Sequence, residues 1–246
     1  MTKNSIYCIF GHGSMSTERR HLLRRMITSA AGLTLMAFAV VVSSKAVLGT
    51  SPITSVPFVL SLTTKMSLGT ANLLFSIVLI TAGALIMGRL YRPIYLTQIV
   101  TVAVFSAMCD LFSVLLSDLQ ISGYIFQWGV IILSCLILGL GVSLLIASDL
   151  TMMPPEYLVL FISFRTKIDF GRVKIMVDLT LVLAAAVISL LHFGTFVGVR
   201  EGTLFAALTL GLIIRTVTGQ LRKTGFYDSI GRGSESVKKE GFLGAS

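Results

Sequence analysis

Two proline-containing segments interrupt an otherwise apolar chain. Residues 46–57 read AVLGTSPITSVP, and residues 148–160 read SDLTMMPPEYLVL. A proline inside a helix removes one backbone donor and leaves a carbonyl without its partner, so both segments break a helix that reaches them. Lipid cannot satisfy these backbone groups, so in a membrane each break must face protein or water. Whether the breaks must be buried in the protein therefore depends on whether the chain lies in a membrane.

The composition is that of an integral membrane protein. Hydrophobic residues make up 54% and charged residues 13% of the 246 residues, and the mean hydropathy is +0.90. A soluble domain of this length needs more charge on its surface. The apolar runs approach or exceed the roughly 20 residues that cross a bilayer as a helix, and they do not alternate as barrel strands do. The sequence therefore predicts an all-α, polytopic membrane protein.

The net charge of +9 collects in basic clusters at residues 18–25, 165–174 and 221–225. All three clusters border apolar runs, as the cytoplasmic flanks of membrane spans typically do. Nucleic-acid binding would need a basic face with stacking aromatic residues, so we expect no nucleic-acid partner.

No catalytic or metal-binding motif is found in the sequence. Cys8, Cys109 and Cys135 lack the paired spacing of a zinc site or of a disulfide framework, and the three histidines lie far apart. No serine nucleophile elbow is present. We therefore expect a protein that is not an enzyme and that holds no metal and no cofactor.

Six apolar runs predict membrane spans, and two shorter ones predict short helices. The long runs lie near residues 26–47, 71–87, 94–116, 125–146, 173–191 and 203–217. The short runs, residues 52–64 and 155–164, begin at prolines, which suit the first turn of a helix, and are too short to cross upright. They are typical of re-entrant helices, which enter and leave on one side.

The order of these segments repeats. Sliding the chain along itself lays Pro52 on Pro155 and Phe58 on Phe161, and after one gap Gly69 falls on Gly171. Repeats of this kind occur in many transporters. We expect four parts: a polar basic tail (1–25), a first membrane repeat (26–119), a second repeat (120–223) and a polar C-terminal tail (224–246).

Two topologies are open. If the short segments cross, the chain has eight spans, and Lys45, Arg89, Arg92 and Arg200 fall outside. If they re-enter, it has six spans, Arg89 and Arg92 move inside, and only Lys45, Lys65 and Arg200 lie outside. The positive-inside rule favours six spans with both termini in the cytoplasm. Each repeat then crosses an odd number of times, so the two repeats are inverted relative to each other.

The two breaks are candidate solute-binding segments. In secondary transporters, broken helices direct their partly positive N-termini toward a substrate near the membrane midplane. The candidates here are Gly49, Thr50, Ser51, Pro52, Thr54, Met153, Pro154, Pro155, Glu156 and Tyr157. The alternative is a plain turn between two helices, with proline at the first helical position.

Asp110, Asp178 and Arg215 are ionisable residues inside apolar runs. A charge at the bilayer centre costs at least about 2.5 to 3.5 kcal/mol, so it usually faces the protein interior. These residues predict a proton or ion relay, or a buried pair between Asp110 and Arg215. The alternative is snorkelling of the side chains to the membrane surface.

Residues 45–80, KAVLGTSPITSVPFVLSLTTKMSLGTANLLFSIVLI, followed by SAMCDLF at 106–112, resemble the YczE/YyaS/YitT family of bacterial membrane proteins. The resemblance covers residues 33–116, and in the second half TMMPPEY (151–157) departs from the glycine of the family. It implies a multi-pass protein of the bacterial cytoplasmic membrane with a transporter-like role. It implies that Gly49, Ser51, Pro52 and Asp110 are candidate functional residues.

The function expected from the sequence is a secondary transporter or permease for a small polar or anionic solute. Its partners would be the lipid bilayer and that solute, and homodimerisation is left open. The alternative is a membrane scaffold or accessory subunit that transports nothing and whose breaks only shape helix packing.

We expect the loop at residues 118–124 to lie outside the cell, since the sequence SDLQISG, which covers most of it, contains no Lys or Arg. A cysteine placed at Ser122 should react with a membrane-impermeant maleimide added to intact cells. The chain with only its native cysteines is the control. Labelling from the cytoplasmic side alone would contradict six spans and favour eight.

Overall fold

The structure, a computed structural model, describes residues 15–46, 48–88, 96–150, 152–168 and 170–226. These residues form eight helices and contain no strand. The helices are α1 (Met15–Lys45), α2 (Pro52–Thr64), α3 (Leu68–Met87), α4 (Thr97–Leu115), α5 (Tyr124–Ser148), α6 (Pro154–Thr166), α7 (Phe170–Phe193) and α8 (Glu201–Lys223). Most of both predicted tails, and Arg89 and Arg92, lie outside the described residues.

Six of these helices, α1, α3, α4, α5, α7 and α8, are long and apolar enough to cross a membrane. The all-α class and the six long apolar helices predicted from the sequence are thereby confirmed. The helices extend further than the apolar runs do. Helix α1 begins at Met15, inside the predicted tail, and α7 takes in Arg172 and Lys174 from the basic flank predicted at residues 165–174. Polar residues with good helix propensity can continue a helix beyond its apolar part, which hydropathy alone does not detect.

The two short helices are alike in length and ends. Helices α2 and α6 have 13 residues each, and each has proline in its first turn. Both are followed by a lysine in the left-handed conformation, Lys65 with φ 57° and Lys167 with φ 59°. Thirteen residues of helix span about 20 Å, less than the roughly 30 Å of a hydrocarbon core.

Helices α1 and α5 form the central pair of the bundle and run antiparallel. Near the start of α1, Arg25 bonds to the C-terminal end of α5 at Ser148. Further along, a Cβ on Gly141 would lie 2.8 Å from the carbonyl oxygen of Gly32. Glycine at both positions lets the two backbones approach closely, as small residues do in membrane helix pairs.

The other helices surround this pair. Helix α4 packs on α1 and α3, α8 packs on α5 and α7, and both short helices pack on α3 and α7. Large apolar side chains on α4, α5, α7 and α8 are exposed, among them Val114, Leu133, Leu183 and Leu208. Both breaks, in contrast, have buried residues, including Ser51 and Met153. The breaks therefore face protein, as their unsatisfied backbone groups require.

The close contact of α1 and α5 can be tested with two alanine substitutions in one helix. Gly141→Ala should lower the melting temperature in detergent, because its Cβ meets the backbone of α1, at a cost of about 1 to 3 kcal/mol. Gly129→Ala is the matched control, since a Cβ there has no neighbour within 4 Å. Equal melting temperatures for the two variants would contradict the contact.

Candidate functional site

A single cavity in the interior brings the two breaks together. Ser51 and Thr54 line it from the first break, and Met153, Pro155 and Glu156 line it from the second. The other walls are Met36, Val40, Ile53, Asn72, Phe75, Ser76, Phe105, Leu138, Val142 and Leu210. The cavity volume of about 20 Å³ has room for one water molecule. Among these residues, Glu156 alone has an ionisable side chain.

Residues 198–203, at and just before the beginning of α8, form hydrogen bonds with the backbone of the first break. The amide of Thr50 donates to the carbonyl of Gly198 at 3.2 Å and to Thr203 Oγ1 at 3.1 Å. The amide of Gly202 donates to the carbonyl of Leu48 at 3.0 Å. Gly49 has a φ of 112°, and a Cβ there would overlap Thr203 Oγ1. The first break is thus a specific turn that needs glycine at this position.

An arginine of α1 donates hydrogen bonds to backbone carbonyls at the second break. Arg25 Nε donates to the carbonyl of Ser148, and Arg25 Nη2 donates to the carbonyl of Asp149, both at 2.7 Å. The same Nη2 is 3.2 Å from Asp149 Oδ2. A cation at a helix C-terminus is favourable because the last carbonyls carry partial negative charge. Arg25 therefore fixes α5 where the second break begins.

Three charged residues form a buried cluster beside the cavity. Lys174 Nζ lies 2.9 Å from Asp178 Oδ1 and 3.9 Å from Glu156 Oε1. The side chains of Lys174, Glu156 and Asp178 are 11%, 9% and 5% exposed. Glu156 Oε2 has no hydrogen-bond partner among the described residues. One lysine thus faces two carboxylates, so the cluster carries a net negative charge when all three groups are ionised.

Asp110 fixes the beginning of α3. Its Oδ1 accepts from the amide of Gly69 at 2.7 Å, and its Oδ2 accepts from Ser67 Oγ at 2.8 Å. A Cβ on Gly69 would overlap the carbonyl of Ser106 on α4. A carboxylate at a helix N-terminus is stabilised by the free amides there. The structure thus gives Asp110 a capping role between α4 and α3.

Arg215 lies exposed on α8 and does not pair with Asp110. The ion pairs of the described residues join Arg25 to Asp149 and Lys174 to Glu156 and Asp178. The expected pair of Asp110 and Arg215 is therefore wrong. The reason is packing, because α4 lies against α1 and α3 whereas α8 lies against α5 and α7.

The remaining candidates from the sequence lie around the cavity rather than in its wall. Pro52 and Pro154 are buried in the first turns of α2 and α6. Tyr157 stacks on Phe161, with ring centroids 5.7 Å apart. Thr50 lines a second, smaller cavity, which it shares with Ser51, Ser134 and Gly202.

A family model described as a family of unknown function, DUF6198, matches residues 23–219. The chain belongs to this family. The matched region includes both breaks and every residue of the cavity and of the charged cluster. Comparison with curated proteins and with solved structures finds no match. The resemblance to the YczE/YyaS/YitT family stays a prediction.

Among the residues that sequence reasoning missed in this DUF6198 chain are three polar or charged ones, Lys174, Asn72 and Ser76. Lys174 was assigned to a basic flank, although Lys174 and Asp178 have the four-residue spacing that pairs charges on a helix. Asn72 and Ser76 have the same spacing on α3 and line the cavity together. Asn72 Nδ2 donates to Ser106 Oγ at 3.1 Å. Polar residues four apart in an apolar run were the available signal.

The capping role of Asp110 predicts that its charge acts independently of Arg215. Asp110→Asn should lower the free energy of unfolding in detergent by about 1 kcal/mol, through the lost N-terminal cap. Arg215→Gln should change it by less than about 0.5 kcal/mol, as exposed substitutions usually do. The two losses should add within about 0.5 kcal/mol in the double variant. Recovery of stability in the double variant would instead support a buried pair of Asp110 and Arg215.

Proposed function

We propose that this chain is a secondary transporter for a small polar solute, with the cavity between the two breaks as its binding site. The observation that carries the proposal is the convergence of both breaks on one buried cavity beside Glu156. Solute and ion sites of many transporters lie where broken helices meet at a repeat interface. We propose further that the chain lies in the bacterial cytoplasmic membrane, with both termini in the cytoplasm.

The packing of the helices supports two repeats, α1–α4 and α5–α8. The contact of α1 with α4 has its counterpart in α5 with α8, and that of α3 with α4 in α7 with α8. The contacts of α2 with α3 and α7 likewise correspond to those of α6 with α7 and α3. The helix ends pair Pro52 with Pro154 and Thr64 with Thr166. This register differs by one residue from the predicted match of Pro52 to Pro155.

The antiparallel central pair supports the re-entrant topology. Successive spans alternate in direction. If α2 crossed the membrane, α5 would be the fifth span and would run parallel to α1. If α2 returns to its own side, α5 is the fourth span and runs antiparallel, in agreement with the contacts of Arg25 and Gly32. Each repeat then has three crossings, which makes the repeats inverted and suits alternating access to a central site.

The buried cluster supplies a group for a coupling proton. Two carboxylates, Glu156 and Asp178, share one ammonium group, so one negative charge is left without compensation in a medium of low dielectric. A proton or a bound cation can remove that charge. Asp178, a relay candidate from the sequence, keeps this role together with Glu156. Asp110 does not, because both of its oxygens hold the N-terminus of α3.

The second candidate function is a membrane scaffold or accessory subunit. Two observations favour it. The cavity holds about one water molecule, and the first break has backbone bonds to the beginning of α8, as expected of a fixed structural turn. A transporter must open this cavity to admit a solute, whereas a scaffold need not.

Transport can be tested with the purified chain in liposomes under an imposed pH gradient. A mixture of polar metabolites is supplied, and uptake is measured by mass spectrometry. We expect uptake of at least one solute, reduced by about tenfold or more in Asp178→Asn and Glu156→Gln, because an amide cannot carry the coupling proton. Both variants should still fold, since Lys174 keeps one carboxylate partner in each.

Glu201→Gln is the matched control, because Glu201 is exposed at the start of α8 and does not line the cavity. It should transport at the wild-type rate. Melting temperatures of all variants separate lost transport from lost folding. Absence of uptake for every solute, with all proteins folded, would favour the scaffold.

A further inference from the structure

We infer, on the basis of the proposed function, that the solute is a small organic cation whose ammonium group binds Glu156 in the cavity. The charge of the described cavity wall points to this class. Among its residues only Glu156 is ionisable, and its side chain is 9% exposed. An anion placed there would face a cluster in which one lysine is shared by two carboxylates, so the charge nearest to it would be net negative. The anionic solutes that the sequence left open do not suit this wall.

Lys174 does not fill the position of the expected cation. Its Nζ lies 2.9 Å from Asp178 but 3.9 Å from Glu156, and the approach to Glu156 is toward Oε1. Glu156 Oε2 has no partner among the described residues, although Glu156 lines the cavity. A buried carboxylate oxygen without a hydrogen bond is costly. A donor that enters the cavity with a positive charge would satisfy both the hydrogen bond and the charge.

The rest of the wall suits an organic cation better than a metal ion. Phe75 and Phe105 offer aromatic rings, and Met36 and Met153 offer polarisable thioethers. Ca²⁺ and Mg²⁺ need about six oxygen ligands, and this wall is largely apolar. The described residues contain no group of three or more His, Cys, Asp or Glu that could hold a metal.

The size of the cavity limits the group that can bind without rearrangement. Room for one water molecule also fits one ammonium nitrogen, which is of similar size. The hydroxyls of Ser51 and Thr54 lie in the same wall and can accept its other N–H groups. Any carbon substituent on that nitrogen requires the cavity to open further. Methylammonium is therefore the smallest organic probe of the site.

The test is direct binding of radiolabelled methylammonium to the full chain in detergent, at constant ionic strength. Ammonium, ethylammonium, Na⁺, methanol and acetate serve as competitors. We expect saturable binding that ammonium and ethylammonium displace at concentrations about tenfold or more below those of Na⁺ and acetate, with no displacement by methanol. Displacement by Na⁺ or acetate at equal or lower concentration would overturn the inference.

Substitutions distinguish Glu156, which binds the ammonium group, from Asp178, which acts through Lys174. Glu156→Gln should weaken binding about tenfold or more, and Glu201→Gln should not change it. Asp178→Asn should also weaken binding, because Lys174 is then free to pair with Glu156. Asp178→Glu should restore binding. Unchanged binding in Glu156→Gln would overturn Glu156 as the binding residue. Wild-type affinity in a folded Asp178→Asn protein would overturn the role of Asp178 in holding Lys174.

The outcome is distinguishable from that of the transport experiment. Solute uptake by liposomes without any binding of ammonium compounds would overturn the organic-cation site and leave the transporter. Saturable binding of methylammonium without uptake of any solute would support the site and overturn the transporter. Failure of both, in proteins with wild-type melting temperatures, would overturn both proposals.

Discussion

The fold depends on one constraint, which is that lipid offers no hydrogen bonds to a broken helix. Two breaks in so apolar a chain can exist only where protein or water meets their free backbone groups. Residues at and just before the beginning of α8 provide the amide of Gly202, the carbonyl of Gly198 and the hydroxyl of Thr203 for the first break. Arg25 provides a guanidinium at the second. These contacts reach across the bundle, so they also fix how its parts pack. The interior position of the breaks is thus a consequence of their chemistry, and the cavity lies where they meet.

Close backbone packing makes these contacts geometrically possible. Gly32 and Gly141 bring α1 against α5, Gly69 brings α3 against α4, and Gly49 lets the first break touch Thr203. At each of these positions a Cβ would overlap a neighbouring backbone or hydroxyl atom. In a membrane, where apolar burial between helices yields little, such close contacts and the polar bonds beside them supply much of the association. The polar breaks and the glycine contacts therefore depend on each other.

The sequence predicts the features that depend on local chemistry or on the repeated order of the segments, and it misses particular contacts between distant residues. Pro52 and the polar residues after Thr64 delimit α2, and the structure has the same bounds. The convergence of Ser51 and Thr54 with Glu156 was expected from the transporter-like pattern of breaks. The cap of Asp110 on α3 and the pairing of Lys174 with Glu156 depend on which helices become neighbours. Hydropathy and spacing do not contain that information, and they led to the wrong pair of Asp110 with Arg215.

The two proposed repeats share a backbone plan but differ in charge. In the register that pairs Pro52 with Pro154 and Leu68 with Phe170, three residues of the first repeat correspond to the cluster of the second: Thr54 to Glu156, Asn72 to Lys174 and Ser76 to Asp178. The first set is neutral, and all of its members are buried. A second charged set across the cavity would add buried charges and place two carboxylates near each other, at a high cost in desolvation and repulsion. Neutral polar side chains opposite a single net negative charge avoid that cost. They also leave Glu156 as the one ionisable group in a wall that is otherwise neutral.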